Sequence, residues 1–391
     1  MPEAIVTVAR SREAVEALRD VWSAMTITDI DSDIDYFLAV ADNAEQVVSP
    51  FVVRIRRVGA PDVLVAARLE NLPVRLRLAY WTFARVTVRA IVVAFGGVLG
   101  ARDRDDESLA VSRLQRLLDA GAADLILMRN VDPDGALYAA VAGAAGGMRL
   151  ARAQPAERVW ETILPDTLEA FLAERSAKSR SSFRREEKLL RAELGDRLKL
   201  RLFRHAGEID ALCRDMAAVS ARTYQAGLGA GFGDTPMERA LVALGLGNGS
   251  YRCWMLYDGE RPVAFWAGMG YRGVFYPATP GFDPDYSRLS VGRFTMFRMI
   301  EDLCADPSIA RIAFGRGDAQ YKSEYATPAG LAADVWLAAP RLWPVLVTGA
   351  LSLTARLNDA CRRWAGGAGP AARLKVLWRR RLARRARNGR A

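Results

Sequence analysis

The feature that most constrains the fold is an order of elements that runs through the 391-residue chain twice. In the first half, helical apolar spacing at 11–25 and 34–41 is followed by strand-like segments at 51–57, 62–69, 74–78 and 86–95. A helix at 108–120, a strand at 124–128 and a helix at 133–144 complete that half. The second half repeats it. A helix at 176–194 and a strand at 198–203 lead to helices at 208–224 and 238–246. Strands follow at 251–257, 262–271 and 273–278, then a helix at 292–304, a short strand from 311 that breaks at Gly315, and a strand at 333–339. Gly59 and Asp258-Gly259 punctuate hairpins at corresponding places. Helices alternating with a strand meander, recurring without a repeated sequence, predict an α/β chain of two related lobes. We place them at 1–164 and 165–339, with a tail at 340–391.

The charge balance narrows the partners. The chain carries a formal net charge of +10, but nine basic residues and no acidic ones fall between 371 and 391. The first 370 residues are therefore close to neutral, and the body lacks the basic footprint of a specific nucleic-acid-binding domain. Half the residues are hydrophobic and mean hydropathy is near zero, at +0.01, as in a soluble protein. Four cysteines without a CxxC pair, and the single histidine His205, leave no ordinary zinc site and no Ser-His-Asp or Cys-His arrangement unless His205 serves. Reduced core cysteines and no signal-peptide core point to the cytoplasm.

The densest chemistry lies at 311–325. A short strand with Ile312 and Phe314 breaks at Gly315, and Gly315 and Gly317 bracket Arg316. Asp318, Tyr321, Lys322 and Tyr325 follow at once. A strand end delivering such groups is where α/β enzymes present chemistry. A solvated turn in which Arg316 pairs with Asp318 fits the same pattern. Gly96, Gly97 and Gly100 match no phosphate-loop spacing and read as a tight turn before a helix. On the 176–194 helix, Arg180, Arg184, Lys188 and Arg191 fall near one stripe, either a solvated face or a hold for a phosphorylated ligand.

Four segments together resemble one family: the basic helix Arg180–Leu190, Tyr224-Gln-Ala-Gly-Leu-Gly, Ala264-Phe-Trp-Ala-Gly, and Phe314-Gly-Arg-Gly-Asp-Ala-Gln-Tyr-Lys. They are similar to the tandem-lobe acyltransferases of the GNAT superfamily, the CelD-like or BioF-two-like branch related to the FemABX peptidyltransferases. The resemblance implies two GNAT-like lobes side by side and an acyl-CoA co-substrate in the second. Its pyrophosphate would lie at Ser290, Gly292 and Arg293, with Gly315, Arg316 and Gly317 nearby. The glycine-rich spacing usual at that helix start is absent, which leaves aminoacyl-tRNA as an alternative donor.

For catalysis, Asp318 is the expected base, Lys322 the charge stabiliser, and Tyr321 or Tyr325 the acid toward the leaving thiolate. Arg180, Arg184, Tyr224, Trp266 and Tyr325 would line the acceptor site. No metal is expected. The acceptor would be a small-molecule or sugar amine, in cell-envelope or exopolysaccharide formation. A non-catalytic scaffold in such an assembly is the rival from another class. The tail, with Leu374, Leu377, Trp378 and Leu382 on one helical face and arginines on the other, reads as a contact for an anionic membrane surface.

Overall fold

The computed structural model describes residues 4–78, 81–145, 151–223 and 231–365. Two compact units emerge. One runs to Arg158 and takes back the chain from Gly330 through the last helix; the other is Val159–Ala329.

The first unit opens with β1 (Ile5–Ala9), α1 (Arg12–Glu16), α2 (Arg19–Ser23) and α3 (Ile34–Asn43). The single helix expected at 11–25 is thus broken in two. β2 (Val47–Pro50), β3 (Val52–Arg57), β4 (Ala60–Leu78) and β5 (Trp81–Leu99) follow, then α4 (Arg104–Asp119), β6 (Leu125–Val131), α5 (Ala136–Gly143) and β7 (Ala151–Ala153). β4 and β5 replace three shorter predicted strands. They pair antiparallel from Leu64↔Leu99 to Leu78↔Trp81. The sequence missed this because Asn71, Pro73 and the alternating arginines look like breaks, yet in a two-stranded arm their side chains simply stay exposed. The glycines expected to form a loop at 96–100 lie at the end of β5. Gly96 has φ +60°, and a Cβ on Gly97 would sit 2.8 Å from the carbonyl oxygens of Ala66 and Ala94. They serve a strand irregularity, where only glycine allows so close an approach.

The sheet runs β1-β3-β4-β5-β6 and ends on β15 (Thr327–Ala338), which pairs antiparallel with β6. The last strand of the second half of the sequence therefore completes the first unit's sheet. The core beneath it joins Val53, Val65, Ile91, Leu114, Ile126 and Leu337. α12 (Leu342–Ala365) closes this unit.

The second unit begins in β8 (Glu157–Ile163). α6 (Leu168–Ala173), α7 (Ala177–Leu194), β9 (Leu198–Phe203), α8 (Ile209–Ser220), α9 (Pro236–Gly247) and the meander β10 (Tyr251–Asp258), β11 (Arg261–Tyr271), β12 (Val274–Pro277) and β13 (Gly281–Phe282) follow. α10 (Val291–Cys304), β14 (Arg311–Arg316) and α11 (Gln320–Tyr325) complete it. Both α6 and α7 are capped: the Thr167 and Ser176 side chains each accept a first-turn amide. The sheet order is β8-β14-β12-β11-β10-β9. α10 is the helix around which this unit packs, burying Phe294, Met296, Phe297, Met299, Ile300 and Leu303.

Candidate functional site

A splayed strand pair and a helix start define the site in the second unit. β12 and β14 run parallel but pair only at Val274↔Arg311 and Phe275↔Ile312. Beyond these, β12 ends at Pro277 while β14 runs on beside β8, so the two strands part toward their carboxyl ends. The chain leaving β12 returns as α10. Its N-cap, Ser290, holds a left-handed conformation (φ 52°, ψ 36°) and makes no side-chain capping bond. For a residue with a Cβ, that conformation costs on the order of 1 kcal/mol. The first turn of α10 contains no carboxylate, so its open amides and dipole present positive potential.

The corresponding helix of the first unit, α4, is built the opposite way. Asp103 caps it through its side chain, and Asp105, Asp106 and Glu107 occupy the first turn. Asp106 is paired with Arg57, and the carboxylates of Asp105 and Glu107 beside it disfavour an anion there. Of the two helix starts, that of α10 is suited to phosphate.

The loop feeding α10 is anchored by Asp283. This carboxylate is 1 % exposed and accepts from Arg261 at 2.7 Å and Arg222 at 3.2 Å, while also capping the backbone N–H of Asp285. Trp266 on β11 ties the helix start to the turn after β14. Its Nε1–H donates to the Gly292 carbonyl at 3.0 Å, and its ring stands edge-on to Tyr321 at 5.4 Å and to Phe314 at 6.2 Å. Trp266, expected to line the acceptor pocket, thus bridges the start of α10 and the residues of β14 and the turn after it.

The glycine-bracketed turn forms as the sequence predicts. Gly315 has φ +71° and Gly317 φ +87°, conformations that an L side chain rarely adopts. Asp318 is exposed, Tyr321 half-buried, and Lys322 buried. The Lys322 ammonium donates to the Arg316 carbonyl at 2.7 Å, with the Gly315 carbonyl 3.5 Å away. It therefore holds the turn from beneath, while Asp318 faces solvent. The loop expected here contains the short helix α11, which carries Tyr321, Lys322 and Tyr325 inward.

Arg293 was expected to clamp the cofactor. Its guanidinium is already committed. It donates to both carboxylate oxygens of Glu186 on α7, at 3.1 and 3.2 Å, and lies 3.5 Å from Glu324. It also lies over the rings of Tyr325 (5.4 Å) and Phe297 (5.8 Å). Tyr325 in turn is buried, donates to Glu324 at 2.7 Å, and stands edge-on to Phe297. Burial pushes its phenol up to about 12, with the Ser179 hydroxyl opposing the rise and the Glu324 acceptor adding to it. Glu186 and Glu324, both missed in the sequence, make this hub. Glu186 sits within a run of cations that drew attention away from it.

The basic stripe of α7 is redrawn. Arg180 donates to the Ala173 and Arg175 carbonyls at the end of α6, and Arg191 is paired with Glu187 at 2.7 Å. Arg184 and Lys188 stay exposed. With Lys178 and Arg185 they fill roughly a third of the helix circumference opposite Phe183, Leu190 and Leu194. Tyr224 lies outside the described residues.

Comparison with known proteins fits this geometry. A family model described as an acetyltransferase (GNAT) domain matches residues 177–323, from the start of α7 into α11. Solved structures match over most of the chain at low identity. FemX is 8 % identical at a TM-score of 0.53, covering 85 % of this chain and 96 % of its own. A tandem GNAT protein from the clavulanic acid biosynthesis pathway is 13 % identical at 0.51, covering 87 % and 99 %. The C-terminal domain of a putative lysylphosphatidylglycerol synthetase from Agrobacterium fabrum is 14 % identical at 0.51, covering 87 % and 96 %. The chain has the tandem-lobe GNAT fold. A search of curated proteins finds no match. At these identities the likeness is one of fold, and it matches the repeated order of elements: in each unit a strand meander is followed by a helix (α4, α10) and a returning strand (β6, β14).

Proposed function

We propose that the chain is an N-acyltransferase that moves an acyl group from acyl-CoA to an amine, with the donor held in the second unit. The observation that carries this reading is the start of α10, whose first turn holds no carboxylate of its own, braced by Trp266 to the turn after β14 beside the parting of β12 and β14. The pyrophosphate of the donor would rest on the first-turn amides of α10, and the thioester would enter between the strands.

The amine nitrogen attacks the thioester carbonyl, a C–N bond forms and the C–S bond breaks. The amine proton passes to Asp318, directly or through water. CoA leaves as the thiolate and takes a proton from Tyr321, the half-buried phenol beside Trp266. Lys322 acts through the turn, holding the Arg316 carbonyl and so the approach of Asp318. Ser290, Gly292, Gly315, Arg316 and Gly317 shape the donor side.

The acceptor is a small-molecule or sugar amine, with cell-envelope or exopolysaccharide formation in the cytoplasm as the setting. A second reading, transfer from aminoacyl-tRNA, is favoured by one observation: Lys178, Arg184, Arg185 and Lys188 present an exposed cationic stripe on α7.

Thermal-shift titration of the purified chain with acetyl-CoA and longer acyl-CoAs, followed by CoA release with a panel of amines, tests the proposal. Dose-dependent stabilisation and CoA release that collapses in Asp318→Asn support it. No stabilisation by any acyl-CoA, with stabilisation by charged tRNA, favours the second reading. Neither response leaves a non-catalytic scaffold.

A further inference from the structure

Among the described residues, α12 has two apolar faces, and one of them packs on the first unit. Val347 and Thr348 are buried, and Val347 packs on Val74, Leu76, Val88 and Trp336 of the first unit. On the opposite side, Leu342, Leu346, Leu353 and Leu357 are 44–70 % exposed. Their spacing of four, seven and four residues sets them in one stripe, with Trp343 at its edge, also exposed. A stripe of leucines four turns long is not ordinary solvent-facing surface.

The charge around it says what covers it. Arg356 is exposed beside the stripe, and from 342 to 391 the sequence holds twelve basic residues against one acidic residue, Asp359. The Asn358 side chain donates to the Arg77 carbonyl at 3.0 Å, so the carboxyl-terminal half of α12 lies at the far end of the β4–β5 hairpin. That end is also apolar and cationic. Leu78 and Phe83 are exposed, Arg75 lies directly across from Arg85, and no acidic residue occurs from 71 to 101. Like charges facing each other across a strand pair oppose folding unless an anion lies near. Among the described residues no helix is long and apolar enough to cross a membrane.

We infer that this end of the first unit docks on the surface of an anionic lipid bilayer. The leucine stripe of α12 lies in the boundary between headgroups and acyl chains, and the surrounding cations meet the lipid phosphates. The sequence places membrane contact in the 340–391 tail; within that tail the structure shows an exposed leucine stripe on α12. Nucleic acid would satisfy the cations but would leave the leucines in water.

The test is co-sedimentation of the purified full chain with vesicles of phosphatidylcholine containing about 30 mol % phosphatidylglycerol, and with phosphatidylcholine alone, at low and high salt. Binding to the anionic vesicles only, weakened by salt, is expected. Leu346→Glu/Leu353→Glu should lower the bound fraction about tenfold or more; both side chains point outward, so an unchanged melting temperature reports an intact fold. If the double variant unfolds, Leu342→Ser/Leu357→Ser repeats the measurement. Failure to bind anionic vesicles, retention on heparin alone, or vesicle binding unchanged in the folded variants overturns the inference.

Discussion

Replacing Arg293 with Met separates a structural hub from a ligand clamp. Arg293 and Glu186 are each 21 % exposed at the side chain. The pair therefore lies between a surface pair, worth less than about 1 kcal/mol, and a buried pair whose breaking costs about 3–5 kcal/mol. We expect about 2 kcal/mol for stranding the Glu186 carboxylate, and roughly 0.5 kcal/mol more for the lost stacking on Tyr325 and Phe297. Urea unfolding followed by circular dichroism and fluorescence measures the loss, with coincidence of the two probes checking cooperativity. In a double-mutant cycle, Glu186→Gln should cost little once Arg293 is gone, giving a coupling of about 1 kcal/mol. Destabilisation below about 0.5 kcal/mol, together with a tenfold or greater loss of acetyl-CoA affinity, would refute the reasoning and make Arg293 a phosphate clamp.

Four further outcomes follow from the same structure. Trp266→Phe removes the bond to the Gly292 carbonyl, worth about 1 kcal/mol, and should raise the KM for acyl-CoA about fivefold with a smaller effect on kcat; steady-state kinetics decide. Asp283→Asn leaves Arg222 and Arg261 without their shared carboxylate and should cost about 2 kcal/mol, read as a lower urea midpoint. Burial, moderated by Arg68, raises the Asp31 carboxyl from its ordinary 3.8 to about 6. The protonated form is thus favoured in the folded state, and stability contributed below pH 4 is lost as pH rises through 6. The loss amounts to roughly 2–3 kcal/mol, and melting curves of Asp31→Asn against wild type across that window should diverge accordingly. Lys322→Met unties the Arg316 carbonyl and should lower kcat by about a hundredfold, while Lys322→Arg should recover part of it; equal activity in all three would remove the turn from the mechanism.

Local signals carried much of the fold. Positive-φ glycines at 59, 259, 315 and 317, and the apolar runs of β10 and β11, each depend on a few neighbouring residues, so they were legible without partners. The glycine-bracketed turn and its basic and acidic groups were legible for the same reason. What a side chain does inside the turn was not. Lys322 reads as a free ammonium in a loop, and only the inward rotation of α11 lays it against a carbonyl.

Long-range pairing escaped the sequence altogether. Nothing near Arg293 names Glu186, which lies 107 residues earlier, and nothing in Thr327–Ala338 says that it completes the first unit's sheet beside β6. Periodicity reports which face of an element is apolar; it does not report which other face it meets. The sequence by itself determined the kinds of element, their order and the chemistry of the turn after β14. Tertiary structure alone decided that Trp266 braces the start of α10 to the turn after β14, which arginines are spent on carboxylates, and which face of α12 packs on the first unit. Those are outcomes of packing between segments far apart in the chain.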